Sequence, residues 1–247
     1  MNRKAMILAA GYGTRLGDLT KEIPKPMLPI QGRPLLEYLV VHLRRHGFNK
    51  ICINLHYMPD IIINYFGDGS KLGVELTYSY EPELLGTAGG VKKMEDFLKT
   101  DGPFLVQYGD VLTDQDFSAM MDFHNSKKAL ATILLHQRHK SNSVVSLDME
   151  NKIIGFLERP TDEERKNFIS PWVNSGVAIL DQEIFNYIPA NKNCDLPKEI
   201  YSMLITSGRL YGFFLSGHRC AIDSPQRFME AQKSLDIYDI PSEINSI

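Results

Sequence analysis

Two glycines, an arginine and a lysine stand near the start of this 247-residue chain at spacings that suit phosphate chemistry. Gly11 and Gly13 permit positive φ and leave the backbone bare, so the N–H groups from Ala10 to Thr14 can converge on an anion. Arg15 follows the turn, where its fork of donors reaches what that backbone cradles. Lys25 lies between Pro24 and Pro26, which hold the chain extended around it and aim its ammonium group. A glycine turn alone is as readily an ordinary strand-to-helix connection. This one is neither of the common nucleotide loops, because Leu16 stands where a dinucleotide fingerprint has its third glycine and no Gly-Lys-Ser/Thr follows. The spaced set, rather than the glycines, makes a phosphate site the expectation.

Further along, EPELLGTAGG brings Gly86, Ala88, Gly89 and Gly90 together, small enough for a flat base to lie against the main chain. Close packing of helix on sheet explains the same residues equally well. Glu81, just ahead, has the acceptor oxygens that guanine's ring N–H and amino group want, and would serve equally as a turn residue facing solvent. Asp110 closes an apolar strand, the place where a metal-phosphate complex lies in open α/β sheets. Capping of the next helix can fall to Asp114 or Asp116, and Ser224 can cap the last one, which leaves Asp110 and Asp223 available for other work.

The elements that must position these residues alternate. Lys4 to Ala10, Lys50 to Asn54, Val74 to Tyr80 and Phe104 to Tyr108 read as strands, most of them short, apolar and suited to a sheet buried on both faces. Helices are expected from Pro34 to His46, from Pro59, through the small-residue loop to about Leu98, and from Pro225. The alternation then breaks. Ala131 to Gln137, Ser143 to Leu147, Lys152 to Leu157, Trp172 to Leu180 and Leu210 to Leu215 read as strands, with DMEN joining an antiparallel pair. The expected fold is α/β: a Rossmann-like open, mostly parallel sheet with helices on both faces and a small antiparallel insertion. We expect one domain over 1–247, with a first half at about 1–130, a part carrying the insertion at about 131–225, and a C-terminal helix and tail at 226–247. His56 and Tyr57 fall at a strand's end, where a structural role is the first expectation.

LAAGYGTRL, then Thr20, then PKPMLPI with GRPLLEY after it, resembles the sugar-1-phosphate nucleotidyltransferases, also called nucleotide-sugar pyrophosphorylases. Later motifs extend the likeness over nearly the whole chain, and EPELLGTAGG with GDVLTD is most similar to the guanylyl branch, whose sugars are mannose-1-phosphate or a manno-heptose phosphate. The resemblance implies nucleotide binding by Leu8, Ala10, Gly11, Gly13, Thr14, Arg15, Glu81, Gly86 and Thr87. It implies sugar-phosphate binding by Gly109, Glu158, Arg159 and Asn174, a magnesium ion on Asp110 and Asp223, and catalysis by Arg15, Lys25 and Asp110. Two departures stand out: Tyr108 where asparagine is usual, and Arg159 where lysine is usual. The implied reaction moves a nucleoside monophosphate from a triphosphate, GTP first, to a sugar-1-phosphate. Uridylyl or thymidylyl transfer, phosphocholine cytidylyl transfer and a non-catalytic nucleotide-sugar sensor are the alternatives.

Composition narrows the field. A net charge of −3 gives no surplus of cations for nucleic acid or anionic membrane. No apolar run approaches the ~18 residues of a membrane span and no signal peptide is evident, so a cytoplasmic enzyme is expected. Cys52, Cys194 and Cys220 are odd in number and widely spaced, which suggests reduced core thiols rather than disulfides or zinc ligands. The tail from Ile237 to Ile247 has a weak helical pattern suited to a contact between copies.

Overall fold

The computed structural model describes residues 3–138 and 141–234, which separate into two compact units. The first holds residues 3–84, 107–117 and 216–234, and the second holds 85–106, 118–138 and 141–215. The units therefore interleave along the chain. The tail from Ile237 onward lies outside the described residues.

In the first unit, strands Arg3–Leu8, Phe48–Leu55 and Glu75–Tyr80 pair in parallel, with Met6 opposite Cys52 and Cys52 opposite Thr77. Their apolar runs are buried because helices cover a parallel sheet. Helix Leu35–Arg45 follows Pro34, turns Leu35, Leu36, Leu39 and Leu43 inward, and stops before Gly47, which takes a positive φ. Helix Pro59–Phe66 begins on its proline as expected. An unanticipated antiparallel pair joins Val111–Thr113 to Arg219–Ala221. Three residues a side are too few for any periodicity to announce, yet this pair brings the neighbourhoods of Asp110 and Asp223 together. The final helix, Pro225–Ser234, is capped as expected, the Ser224 hydroxyl accepting from the Arg227 N–H at 3.4 Å.

The second unit contains the expected antiparallel hairpin, Ser143–Leu147 with Ile153–Glu158. Strand Trp172–Leu180 runs antiparallel to Ala131–Gln137, which also pairs in parallel with Leu210–Phe214. The register of Trp172–Leu180 is interrupted between Asn174 and Ala178, where Gly176 takes a φ of 84°. The small-residue helix is two pieces, Gly86–Lys93 and Glu95–Leu98, broken at Met94. Among the described residues no helix is long and apolar enough to cross a membrane. All three cysteines are free; Cys52 and Cys194 are core residues, whereas Cys220 is half-buried.

Candidate active site

The loop after strand Arg3–Leu8 is built around two glycines, Gly11 and Gly13. Among the described residues no hydrogen bond takes the N–H groups of Gly11, Tyr12 or Gly13. Gly13 has a φ of 70°, and a Cβ there would stand 3.0 Å from the Cβ of Lys25 and 3.2 Å from the Cγ2 of Thr20. A bare Cα is thus what lets Lys25 pass close beneath the loop. Gly11 differs from expectation: its φ is not positive, and an added Cβ would meet nothing within 4 Å. Thr14 and Arg15 open a 3₁₀ stretch, Thr14–Thr20, whose geometry carries the Arg15 side chain outward, 70% exposed.

Charge gathers on one side of this loop. Lys25 Nζ donates to Asp110 Oδ2 at 2.6 Å, with the two side chains only 16% and 26% exposed. Arg15 Nη1 lies 4.0 Å from Asp223 Oδ2, and Arg227 Nε lies 3.6 Å from Asp223 Oδ1. The Ile222 N–H donates to the Asp110 carbonyl at 2.8 Å, so the residue preceding one aspartate is tied to the other. Asp114 does not cap a helix; it accepts from the backbone and ring of His218. Gly109 donates to the Leu8 carbonyl at 2.8 Å, and a Cβ on it would meet that oxygen at 2.9 Å, so its bareness serves strand packing.

Glu81 turns inward. It is 1% exposed, and its Oε1 accepts from Asn54 Nδ2 at 2.8 Å, while Asn54 Oδ1 accepts from the Ala9 N–H at 2.7 Å. A carboxylate so engaged anchors the base of the loop at Ala9, and at 1% exposure it presents almost no surface to a ligand. Ala10 is buried beside this anchor.

In the second unit the small-residue loop packs against backbone. The Ala88 and Gly89 N–H groups both donate to the Cys194 carbonyl, at 2.8 and 3.1 Å. Thr87 donates to Asp195 Oδ1 from its N–H at 3.0 Å and its hydroxyl at 3.1 Å, and that hydroxyl accepts from the Leu196 N–H at 2.7 Å. A Cβ on Gly86 would stand 2.5 Å from the Cys194 oxygen. Glu158 closes the hairpin strand, and burial pushes its carboxyl up to about 7 against the lowering effect of Arg159, with Asp195 adding to the rise. Arg159 adopts a φ of 51°, unusual for a non-glycine residue, and its side chain extends into solvent with Nε 4.0 Å from Glu158. Asn174 sits at the irregular point of its strand, its Oδ1 accepting from the Gly176 N–H at 2.9 Å.

The nucleotidyl transferase family profile matches residues 4–233 of this chain. The chain belongs to that family. Among its relatives, the UTP–glucose-1-phosphate uridylyltransferase of Synechocystis is 39% identical over 219 residues, 83% of this chain and 56% of that protein. The mannose-1-phosphate guanylyltransferase of Mycobacterium tuberculosis is 30% identical over 239 residues, 94% of this chain and 64% of that protein. The chain thus spans 56% and 64% of the lengths of these two relatives. A solved UDP-glucose pyrophosphorylase complexed with UDP-glucose is 19% identical with a TM-score of 0.81, covering 96% of this chain and 99% of that one, which shows the α/β fold.

Each unit of this nucleotidyl transferase holds partner residues that motif reading passed over. Asn54 closes the apolar run from Ile51 to Ile53 with a polar side chain, a signal that was present in the sequence. Arg227 lies four residues beyond Asp223, one helical turn, which is the spacing of an ion pair. Asp195 carried no signal, since its partner Thr87 is 108 residues away.

Proposed function

We propose that this chain transfers a nucleoside monophosphate from a nucleoside triphosphate to a sugar-1-phosphate, releasing pyrophosphate, in the cytoplasm. The observation that carries the reading is the cradle of unengaged N–H groups at Gly11 to Gly13 beside the Lys25–Asp110 pair at 2.6 Å. An oxygen of the sugar phosphate attacks the α-phosphorus as the bond to the β-phosphate oxygen breaks, and pyrophosphate leaves in line. The nucleophile is already an anion, so the protein's task is alignment and charge stabilisation. The loop backbone and Arg15 hold the β- and γ-phosphates. Lys25 exchanges Asp110 for the α-phosphate and follows its charge into the transition state.

The two aspartates fit magnesium. They are hard oxygen donors, the type magnesium prefers, and the Ile222 to Asp110 hydrogen bond ties their backbones together. Asp110 and Asp223 would hold the ion, which would supply neutralisation of the phosphate oxygens. Glu158, Arg159 and Asn174 are assigned to the sugar phosphate. A Glu158 carboxyl that stays protonated up to about pH 7 can donate to that dianion instead of repelling it.

GTP with mannose-1-phosphate or a manno-heptose-1-phosphate is the pairing we infer, supported by the guanylyltransferase relatives. UTP with glucose-1-phosphate is a second reading, favoured by the 39% relative. Pyrophosphate release from GTP, UTP, dTTP, CTP and ATP against several sugar-1-phosphates and phosphocholine, scored by kcat/KM, decides. Dominant activity with GTP and a manno-configured phosphate is expected. Release with phosphocholine alone, or with no pair at all, overturns the reaction class.

A further inference from the structure

We infer that Tyr12 and His56 form a directed hydrogen-bonded link that fixes the tip of the phosphate loop to Glu81, making His56 a positioning residue for triphosphate binding. The inference rests on the proposed reaction and adds two residues to its site. His56 follows strand Phe48–Leu55, and its Nδ1 lies 2.6 Å from the Glu81 carbonyl oxygen. A carbonyl only accepts, so Nδ1 carries the proton, and in the neutral ring Nε2 must then accept. The Tyr12 hydroxyl, 2.6 Å from Nε2, is therefore the donor. The link runs one way: Tyr12 O–H to His56, His56 N–H to Glu81.

Tyr12 is the side chain at the tip of the loop, between Gly11 and Gly13, and is 47% exposed. An exposed tyrosine on a glycine loop would ordinarily sample many positions. Here its ring meets His56 edge to face at 4.8 Å and Tyr57 at 6.0 Å, while the Tyr57 hydroxyl donates toward the Thr20 and Lys21 carbonyls at 3.2 Å. The second tether, Ala9 N–H to Asn54 to the Glu81 carboxylate, holds the root of the same loop. Root and tip thus converge on one residue, and the N–H groups between them keep a common orientation. Ordering the loop before the ligand arrives lowers the entropic cost of binding a triphosphate. The link touches neither Lys25 nor Asp110, so the chemical step should be insensitive to it.

The test is steady-state kinetics of wild type, Tyr12→Phe, His56→Phe and the double variant, with the pair of triphosphate and sugar-1-phosphate that gives the highest kcat/KM. Each single variant is expected to raise the triphosphate KM about tenfold while kcat stays within about twofold. The double variant should be no worse than His56→Phe, because both changes break the same link. Fluorescence titration with a non-hydrolysable triphosphate should show the same weakening in binding alone. Tyr12→Phe alters only an exposed hydroxyl, so it remains informative if His56→Phe does not fold. An unchanged KM in Tyr12→Phe, or losses that add in the double variant, would overturn the link. Inactive wild type with every substrate pair would instead defeat the proposed reaction, a distinguishable result.

Discussion

At Gly13 the space left by a missing side chain is used by other side chains, with Lys25 and Thr20 at 3.0 and 3.2 Å from where a Cβ would stand. At Gly86 and Gly89 it is used by backbone, the Cys194 and Lys192 carbonyls lying at 2.5 and 2.7 Å. The hydrogen bonds divide the same way. The tip of the first loop keeps its N–H groups unengaged among the described residues, whereas Thr87, Ala88 and Gly89 give theirs to Asp195 and Cys194. Glycine is needed in both loops, but the first leaves its backbone donors open and the second closes its backbone onto the chain. Bareness marks a binding loop only when the donors it exposes have no partner already.

The largest effects should therefore fall around the first loop. Asp110→Ala and Asp223→Ala are each expected to abolish turnover with the fold intact by circular dichroism. Lys25→Ala should lower kcat by about 10²–10³ with little change in triphosphate KM, as for loss of one preorganised transition-state donor. A rise in KM at constant kcat would recast Lys25 as a ground-state binder.

Next comes Gly86→Ala, which places a methyl group on the Cys194 oxygen at a φ of 74°. Overlap with backbone and a left-handed conformation together should cost about 2–4 kcal/mol in urea unfolding. Triphosphate KM in the folded fraction should change less than twofold. An unchanged midpoint with a tenfold KM rise would reverse the contrast between the loops and make Gly86 a ligand contact.

Strands and helices were legible wherever periodicity ran long enough: Phe104–Tyr108, Ala131–Gln137, Ser143–Leu147 and Trp172–Leu180 begin and end as their apolar patterns indicate. The packing of Lys25 against Gly13 was within reach of the sequence because the two lie in one short segment. What could not be read was pairing at a distance. Nothing in LGTAGG announces Cys194, nothing near Glu81 announces that Asn54 will take its carboxylate, and a three-residue ladder such as Val111–Thr113 leaves no pattern. Small residues and acids are ambiguous until their partners are known, since packing and ligand binding ask for the same atoms.

A smaller effect separates the regions by pH. Burial holds His42 of the first unit and His124 of the second at about 4, below the usual histidine value. Both are neutral when folded and protonate more readily unfolded, so each contributes stability that is lost as pH falls from about 6.5 toward 4. Glu158 has the opposite sign. Its raised folded value means the native state keeps a proton that the unfolded chain releases, so stability is lost as pH rises from about 4.5 to 7. Glu158→Gln should thus be indistinguishable from wild type near pH 4 and more stable by on the order of 2 kcal/mol above pH 7. Urea unfolding across that range checks it, and a gap that does not grow with pH would mean Glu158 is ionised in the folded protein.

The smallest effect is expected at Gly11, where sequence reading asked for the same freedom as at Gly13. Its φ is not positive and a Cβ would meet nothing within 4 Å, so neither conformation nor packing demands glycine. Gly11→Ala should leave stability unchanged or raise it by about 0.4–1 kcal/mol, through a less flexible unfolded chain. Gly13→Ala, by contrast, forces Lys25 and Thr20 away and should lose both stability and turnover. If phosphates are held by the backbone N–H groups alone, the Gly11→Ala triphosphate KM should stay within about threefold of wild type. A tenfold rise at unchanged stability would put the bound ligand against the Gly11 Cα itself. Gly11 would then be a glycine kept for its ligand, and Gly13 a glycine kept for Lys25.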